Sequence, residues 1–578
     1  MEKVYRTEYP NPQFERKDWT CLNGEWEFEI GEHTGKTNCA LSGKIVVPFC
    51  PESELSGVGF VDFIPQCTYS KIIKVSEEDL KGRLVLHFGA VDYKAVVYCN
   101  GVEVITHEGG YTPFEADIAP FVTVGGNRIT VCVFDDINAN VPSGKQSNLK
   151  ESYGCYYTRT TGIWQSVWLE RTPKAYIKWI RFFPDPENAS VKVEISVEGA
   201  EEKEIALFVE YQGRRVGETT RTIYHRGFLD VHLSEKHLWE INNGRLYDVK
   251  ICFGEDIVYS YFGLRSVRYE GKKFLLNEKN VYQRLVLDQG YYRRGIYTAE
   301  TEEELMKDII LSKNLGFNGA RLHQKVFEPR FLYHCDKMGY IVWGEYPSWG
   351  MHYYDLSGMV NFIREWTEAV ERDFNHPSIV TWCPLNEAWM DFQDAKKARD
   401  IRFIESIYGV TKALDFTRPC VDVSGGYHGK YTDLYDIHCY FDVKGLAEEI
   451  EFLEKGIVRF REDYIKAPET LFEKSEYDGK APLNISEYGG VSYQPDVKGW
   501  GYLSTENEME FIQGYVERTK LLLECPLFSG FCYTQLYDVE QEQNGLYTYD
   551  RDLKFSQKSM DEIRNCNQAI SAIEKTKK

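Results

Sequence analysis

The sequence has no run of the roughly 18 apolar residues that a membrane-spanning helix needs. Its opening, MEKVYRTEYP, lacks the apolar stretch of a secretory signal, so the chain reads as a soluble, cytoplasmic protein with no membrane partner. No C-x-x-C pair occurs. The 15 cysteines are odd in number and scattered singly, which suggests neither a disulfide framework nor a zinc knuckle. The 12 histidines include no H-E-x-x-H and no other tight ligand spacing, so no metal and no other cofactor is expected. Positive charge is also scarce: a formal net charge of −21 leaves no basic face for nucleic acid or an anionic membrane. A small anionic substrate gripped by one or two local arginines stays compatible with that charge.

Apolar and aromatic residues are not scarce. At 43% and 15% they exclude disorder, and 578 residues are too many for a single core. Up to residue 172 the pattern is short alternating runs between turn signals, as in RLVLHFGAVDYKAVVYCNGVEVITHEG and NRITVCVFDD, which predicts a β-sandwich. The alternation resumes over 173–267 in ASVKVEISVEG, IALFVEYQG, FLDVHLS and LYDVKICFG, enough for about seven strands of a second, immunoglobulin-like sandwich. Over 268–578 helices alternate with strands. ETEEELMKDIILSKNLG passes into NGARLH, PRFLYHCDKMG into YIVWGE, and MVNFIREWTEAVERDF into SIVTWCPLNE. That repeat predicts a (β/α)8 barrel whose strands end near Gln289, His323, Glu345, Glu387, Val423, His438, Glu487 and Gln535.

Two of those strand ends carry the chemistry. WCPLNEAW closes a β-branched and aromatic run with Asn386 and Glu387, and NISEYGG presents Glu487 before Gly489 and Gly490. Barrel enzymes keep their reacting groups at the carboxyl ends of strands, and two acids facing one sugar are the equipment of glycoside hydrolysis.

The order of LNGEWEFE, GIWQSVWLE, FGLRSV, FNGARLHQ, NHPSIVTWCPLNE and SEYGG along essentially the whole chain resembles glycoside hydrolase family 2, the family of β-galactosidases, β-glucuronidases and β-mannosidases. The resemblance implies an N-terminal jelly-roll, sugar-binding-like β-sandwich, an immunoglobulin-like β-sandwich and a C-terminal catalytic TIM barrel. It implies Glu487 as nucleophile and Glu387 as general acid/base of a retaining exo-acting double displacement, without a cofactor. It also implies Asn386 on the sugar 2-hydroxyl and Arg321 ordering the nucleophile. His323, His438 and Tyr440 join the site by their place on predicted inward-facing strands. Tyr488, next to Glu487 on an extended strand, is expected to point away, and His376 reads as a connector at the far end of the barrel.

The sugar is read from departures. Many relatives carry Trp-Pro-Asp-Gly where this chain has YYRRG, placing Arg293 and Arg294 past the first strand. A guanidinium fork matches a carboxylate, so the substrate class expected is a β-uronide, making the protein a β-galacturonidase or β-glucuronidase. The Asn-x-Lys signature of glucuronide-specific relatives is not found after Gln535, which leaves galacturonide or mixed use open. Tyr156 and Tyr157 stand where β-galactosidases of the family often place an Asp, and Asp135 and Asp136 offer a hydroxyl contact from another direction. Trp349, Trp389 and Trp500 are the candidate stacking surfaces, with Trp389 carried as a substrate contact, and Arg551 and Asp538 are further pocket candidates. The alternatives are a β-galactosidase and a carbohydrate-binding protein without catalysis. Association into homo-oligomers stays open.

Overall fold

A computed structural model describes residues 4–32, 35, 37–199, 203–353, 355–388, 401–425, 428–455, 481–493 and 499–575. The first part of the chain builds two antiparallel sheets, one of four strands and one of six. The long strands Gln66–Val75 and Gly125–Phe134 pair along their whole length at the centre of the larger sheet. Their alternate side chains, among them Tyr69, Ile73, Val131 and Val133, fill the space between the sheets, as the period of two requires. The next part holds a three-stranded and a four-stranded sheet, seven strands in all, around a core that includes Ile195, Leu207, Val249 and Phe262.

The third part is a parallel sheet of seven strands: β1 (Gln283–Asp288), β2 (Gly319–Leu322), β3 (Ile341–Glu345), β4 (Ile379–Cys383), β5 (Tyr435–Cys439), β6 (Leu483–Gly489) and β7 (Phe528–Thr534). Their order is β4-β3-β2-β1-β7-β6-β5. The helices α1 (Glu302–Asn314), α2 (Pro329–Met338), α3 (Leu356–Asp373), α4 (Ile401–Leu414), α5 (Val443–Glu454) and α6 (Glu508–Glu524) pack outside. Local signals start and stop them. Thr301 accepts from the Glu304 amide at the start of α1, Pro329 opens α2, and Gly339 ends α2 in the left-handed region at φ +61°.

The strand expected near Val423 is not regular. Among the described residues between β4 and β5 the chain makes only the bridges Trp382 to Cys420 and Asn386 to Ser424, both parallel. Backbone hydrogen bonds nevertheless tie this segment to β4, with Val421 donating to Trp382 at 3.0 Å and Glu387 donating to Ser424 at 2.8 Å. Asp422, Ser424 and Asp436 turn their side chains to local hydrogen bonds there, so the segment fills the eighth place without a ladder.

The second sandwich seats on the amino end of the barrel. Arg265 donates to the carbonyls of Pro377 and Ile379, and His376 holds Asp336 at 2.6 Å beside Tyr261. The first sandwich reaches the opposite end, where Ser143 and Gly144 donate to the Trp349 carbonyl at 2.9 and 3.0 Å. No helix among the described residues is long and apolar enough to cross a membrane.

Candidate active site

Four strand ends meet on one guanidinium. Arg321, on β2, is fully buried. It donates to Glu345 of β3 at 2.7 Å, to Asn386 beyond β4 at 2.5 Å and to Glu487 of β6 at 2.8 Å, with His438 of β5 at 3.4 Å. Fixed forks of this kind set carboxylate positions as well as their charge.

Glu487 is gripped from several sides. Tyr440 donates its hydroxyl to the second carboxylate oxygen, and the His438 and His323 rings stand 3.5 and 4.0 Å from the first. Burial alone would raise its pKa, but His438 and Arg321 outweigh burial and hold it down at about 2. The reverse applies to Glu345, which burial pushes up against the pull of Arg321. His323 lies 2.9 Å from Glu345, yet burial and the charges of Lys145 and Arg321 drive its pKa well below the ordinary value.

Glu387 faces Glu487 across His438, whose Nδ1 is 2.7 Å from a Glu387 oxygen. One carboxylate oxygen of each acid and a ring nitrogen of His438 lie within 4.8 Å of one another. Burial lowers the His438 pKa, but Glu487 and Glu387 outweigh it and raise it. These three residues are also the group among the described residues able to hold a metal ion. A dication there would sit beside the Arg321 guanidinium, 2.8 Å from Glu487, and against a histidine driven toward its charged form, so the donor set suits a proton better than a metal.

Backbone conformation gives room for this contact. Glu387 itself adopts φ +47°, a left-handed conformation that is sparsely populated for a residue with a side chain. Gly425 faces it at φ +95°, and a Cβ there would stand 2.9 Å from the His438 ring and 3.1 Å from Glu387 Cγ. Gly490 does the same for the other acid: a Cβ would stand 2.6 Å from Tyr502 and 2.9 Å from Tyr440, whose rings stack 3.5 Å apart.

Of the residues singled out from the sequence, Arg321, His323, Asn386, Glu387, His438, Tyr440 and Glu487 come together. Tyr488 points away, to Thr519 of α6 at 2.8 Å. Arg293 and Arg294 do not reach the acids. Both are about half exposed, Arg293 paired with Asp550 at 2.6 Å and Arg294 with Glu54 at 2.9 Å and Glu300 at 2.5 Å. Arg551 and Asp538 are spent likewise, on Asp308 and Lys554. Trp389 lies outside the described residues. Trp349 donates to the Asn386 carbonyl at 3.2 Å and tilts against Tyr156 at 5.4 Å, so it lines the site.

Three contributors carried no signal in the sequence. Lys145 comes from the first sandwich and Tyr502 from the loop after β6. Glu542 lies beyond β7, where its carboxylate accepts from Tyr157 and, at 2.9 Å, from Asn544. Glu345 did carry one, as an acid at a predicted strand end.

The chain matches two family descriptions: "Glycosyl hydrolases family 2, sugar binding domain" over residues 59–173 and "Glycosyl hydrolases family 2, TIM barrel domain" over residues 267–560. It is 27% identical over 531 residues to a β-glucuronidase of Streptococcus agalactiae, covering 84% of each chain. Its fold is similar to that of a β-glucuronidase from an uncultured Clostridium, with 22% identity, a TM-score of 0.78 and coverage of 98% of this chain and 100% of that one. A β-galacturonidase of Eisenbergiella tayi bound to galacturonate is similar at 20% identity and a TM-score of 0.73, over 98% of this chain and 99% of that one. With both matches in chain order and the barrel match alone spanning half its length, the chain belongs to glycosyl hydrolase family 2.

Proposed function

We propose that the protein is a retaining, exo-acting β-glycosidase that releases a terminal β-uronide, galacturonide or glucuronide. The observation that carries the mechanism is the separation of the two acids, whose facing oxygens lie within 4.8 Å. Retaining enzymes hold their carboxyls roughly 5 to 5.5 Å apart, whereas inverting enzymes leave roughly 6.5 to 9.5 Å for a water. Glu487, kept ionised by His438 and Arg321, attacks the anomeric carbon, while Glu387 gives its proton to the leaving oxygen as the glycosidic bond breaks. Water then attacks the same carbon. Glu387 takes a proton from that water, and the bond to Glu487 breaks. Asn386, fixed by Arg321, is placed to meet the sugar 2-hydroxyl, and Trp349 to cover a face of the ring.

Support for the uronide comes from the curated relative, a β-glucuronidase. The second reading, a β-galactosidase, is favoured by one observation: Glu542 is a further buried acid beside Glu345, Glu387 and Glu487, its pKa raised by burial and by the Glu487 charge, and in its ionised form it would repel a uronate. The proposal includes a division of the chain at 172 and 267, a cytoplasmic setting and self-association, the last to be read by sedimentation.

The test is parallel hydrolysis of aryl β-D-galacturonide, glucuronide, galactoside, glucoside and mannoside, with the first-formed anomer read by NMR. We expect uronides to lead, the β-anomer to form first, and Glu487→Gln to lower kcat by at least about 10³-fold. An α-anomer as first product would sink the double displacement, and a lead for galactoside would select the second reading.

A further inference from the structure

Lys145 sits on the stretch of the first sandwich that runs down onto the carboxyl end of the barrel, two residues from the Ser143 and one from the Gly144 that bind the Trp349 carbonyl. It is 4% exposed, and its carbonyl is fixed by the Tyr157 amide at 2.8 Å. Its ammonium stands 5.6 Å from the centre of the Trp349 ring and 5.8 Å from that of Tyr157. Its charge is felt by Glu487, His323 and Glu542, three groups of the pocket.

Among the described residues this ammonium donates to no carboxylate and no carbonyl. The contrast with the other buried cations is sharp. Arg321 holds Glu345 and Glu487, and Lys325, the other buried lysine, donates to the carbonyls of Gly290 and Tyr297. An ammonium flanked by two aromatic rings and paired with no carboxylate keeps its hydrogen-bonding capacity for whatever enters the pocket, and such capacity is what an anionic ligand satisfies. Glu542 does not satisfy it: its oxygens are engaged by Tyr157 and Asn544.

We propose that Lys145 binds the carboxylate of the uronic acid in the sugar site, the role that the exposed and already paired Arg293 and Arg294 do not fill. This rests on the uronide reading above. The ligand class is a six-carbon sugar acid, its carboxylate held by the ammonium between the Trp349 and Tyr157 rings, and the determinant comes from a different sheet system from the one that carries out the chemistry.

The experiment compares the full chain with Lys145→Met and Lys145→Arg on matched aryl galacturonide, glucuronide, galactoside and glucoside. We expect Lys145→Met to lower the uronide-to-hexoside ratio of kcat/KM by about 100-fold, mostly through KM on the uronides, and Lys145→Arg to restore part of the ratio. In a Glu487→Gln background, calorimetric affinity for free galacturonate or glucuronate falls by the same factor. Melting temperature supplies the control, because removing an ammonium that pairs with no carboxylate or carbonyl of the protein leaves it nearly unchanged, whereas a structural lysine would lower it. Equal loss on uronide and hexoside, or no loss on either, overturns the assignment. Failure of the uronide reading looks different: the unsubstituted protein itself then prefers a hexoside.

Discussion

Glu387 occupies a left-handed conformation at φ +47° opposite a glycine at φ +95°, and the two depend on each other. Only a residue without Cβ leaves space for the His438 ring between the acids. Gly425→Ala is therefore expected to displace that ring and lower kcat by about 100-fold, the usual effect of a displacement near 1 Å, with KM little changed. Steady-state rates check it, and an unchanged kcat would show that the ring yields elsewhere. At this scale the sequence was legible where chemistry sits on a strand end: Asn386, Glu387 and Glu487 follow β-branched runs, and Arg321 on β2 and His323 just past its end are two residues apart. It was not legible for Lys145 or Glu542, because irregular loops bring them in and no local periodicity marks a loop residue. Arg293 and Arg294 misled for the same reason. Their partners Asp550, Glu54 and Glu300 lie on separate loops, and a run of sequence does not say which acids will neutralise an arginine.

Among the elements, the segment between β4 and β5 is the exception to an otherwise readable alternation of strand and helix. Pattern and caps foretold the parallel strands, but the stretch around Val423 spends its polar side chains on local contacts. His428 clips Asp422 at 2.6 Å, and Ser424 donates to Asp436 at 2.9 Å. Burial would lower the His428 pKa, yet Asp422 and Asp436 raise it to about 10. A histidine whose pKa is higher in the folded state stabilises fully below its unfolded value near 6.5, and that contribution is lost as pH rises through the folded value. The melting temperature should thus fall between pH 6.5 and about 10, and His428→Gln should flatten the slope in that window. Calorimetry at four or five pH values decides. A slope unchanged by the substitution would assign it to other groups.

For the whole molecule, the site is built from the first sandwich docked on the barrel, with Ser143 and Gly144 on the Trp349 carbonyl. Arg6, near the start of the chain, binds Glu328 through two hydrogen bonds of 2.9 and 2.8 Å at the edge of α2, with both side chains nearly enclosed. Removing one member of such a pair strands the other, so Arg6→Ala should cost about 3 to 5 kcal/mol in urea unfolding. It should also lower activity, since the same sandwich positions Trp349. A midpoint that does not move would mean that the sandwich and barrel unfold independently.

Beyond β7 a row of side chains runs from Gln289 to Gln535 to Asn544 to Glu542, each amide nitrogen donating to the next oxygen at 2.8, 2.8 and 2.9 Å. All three amides therefore point the same way, like arrows along a line, and Glu542, accepting from Asn544 and from Tyr157, fixes their direction. Replacing it with glutamine would allow the arrows to reverse together, giving the wall of the pocket two opposite polarities within one unchanged shape.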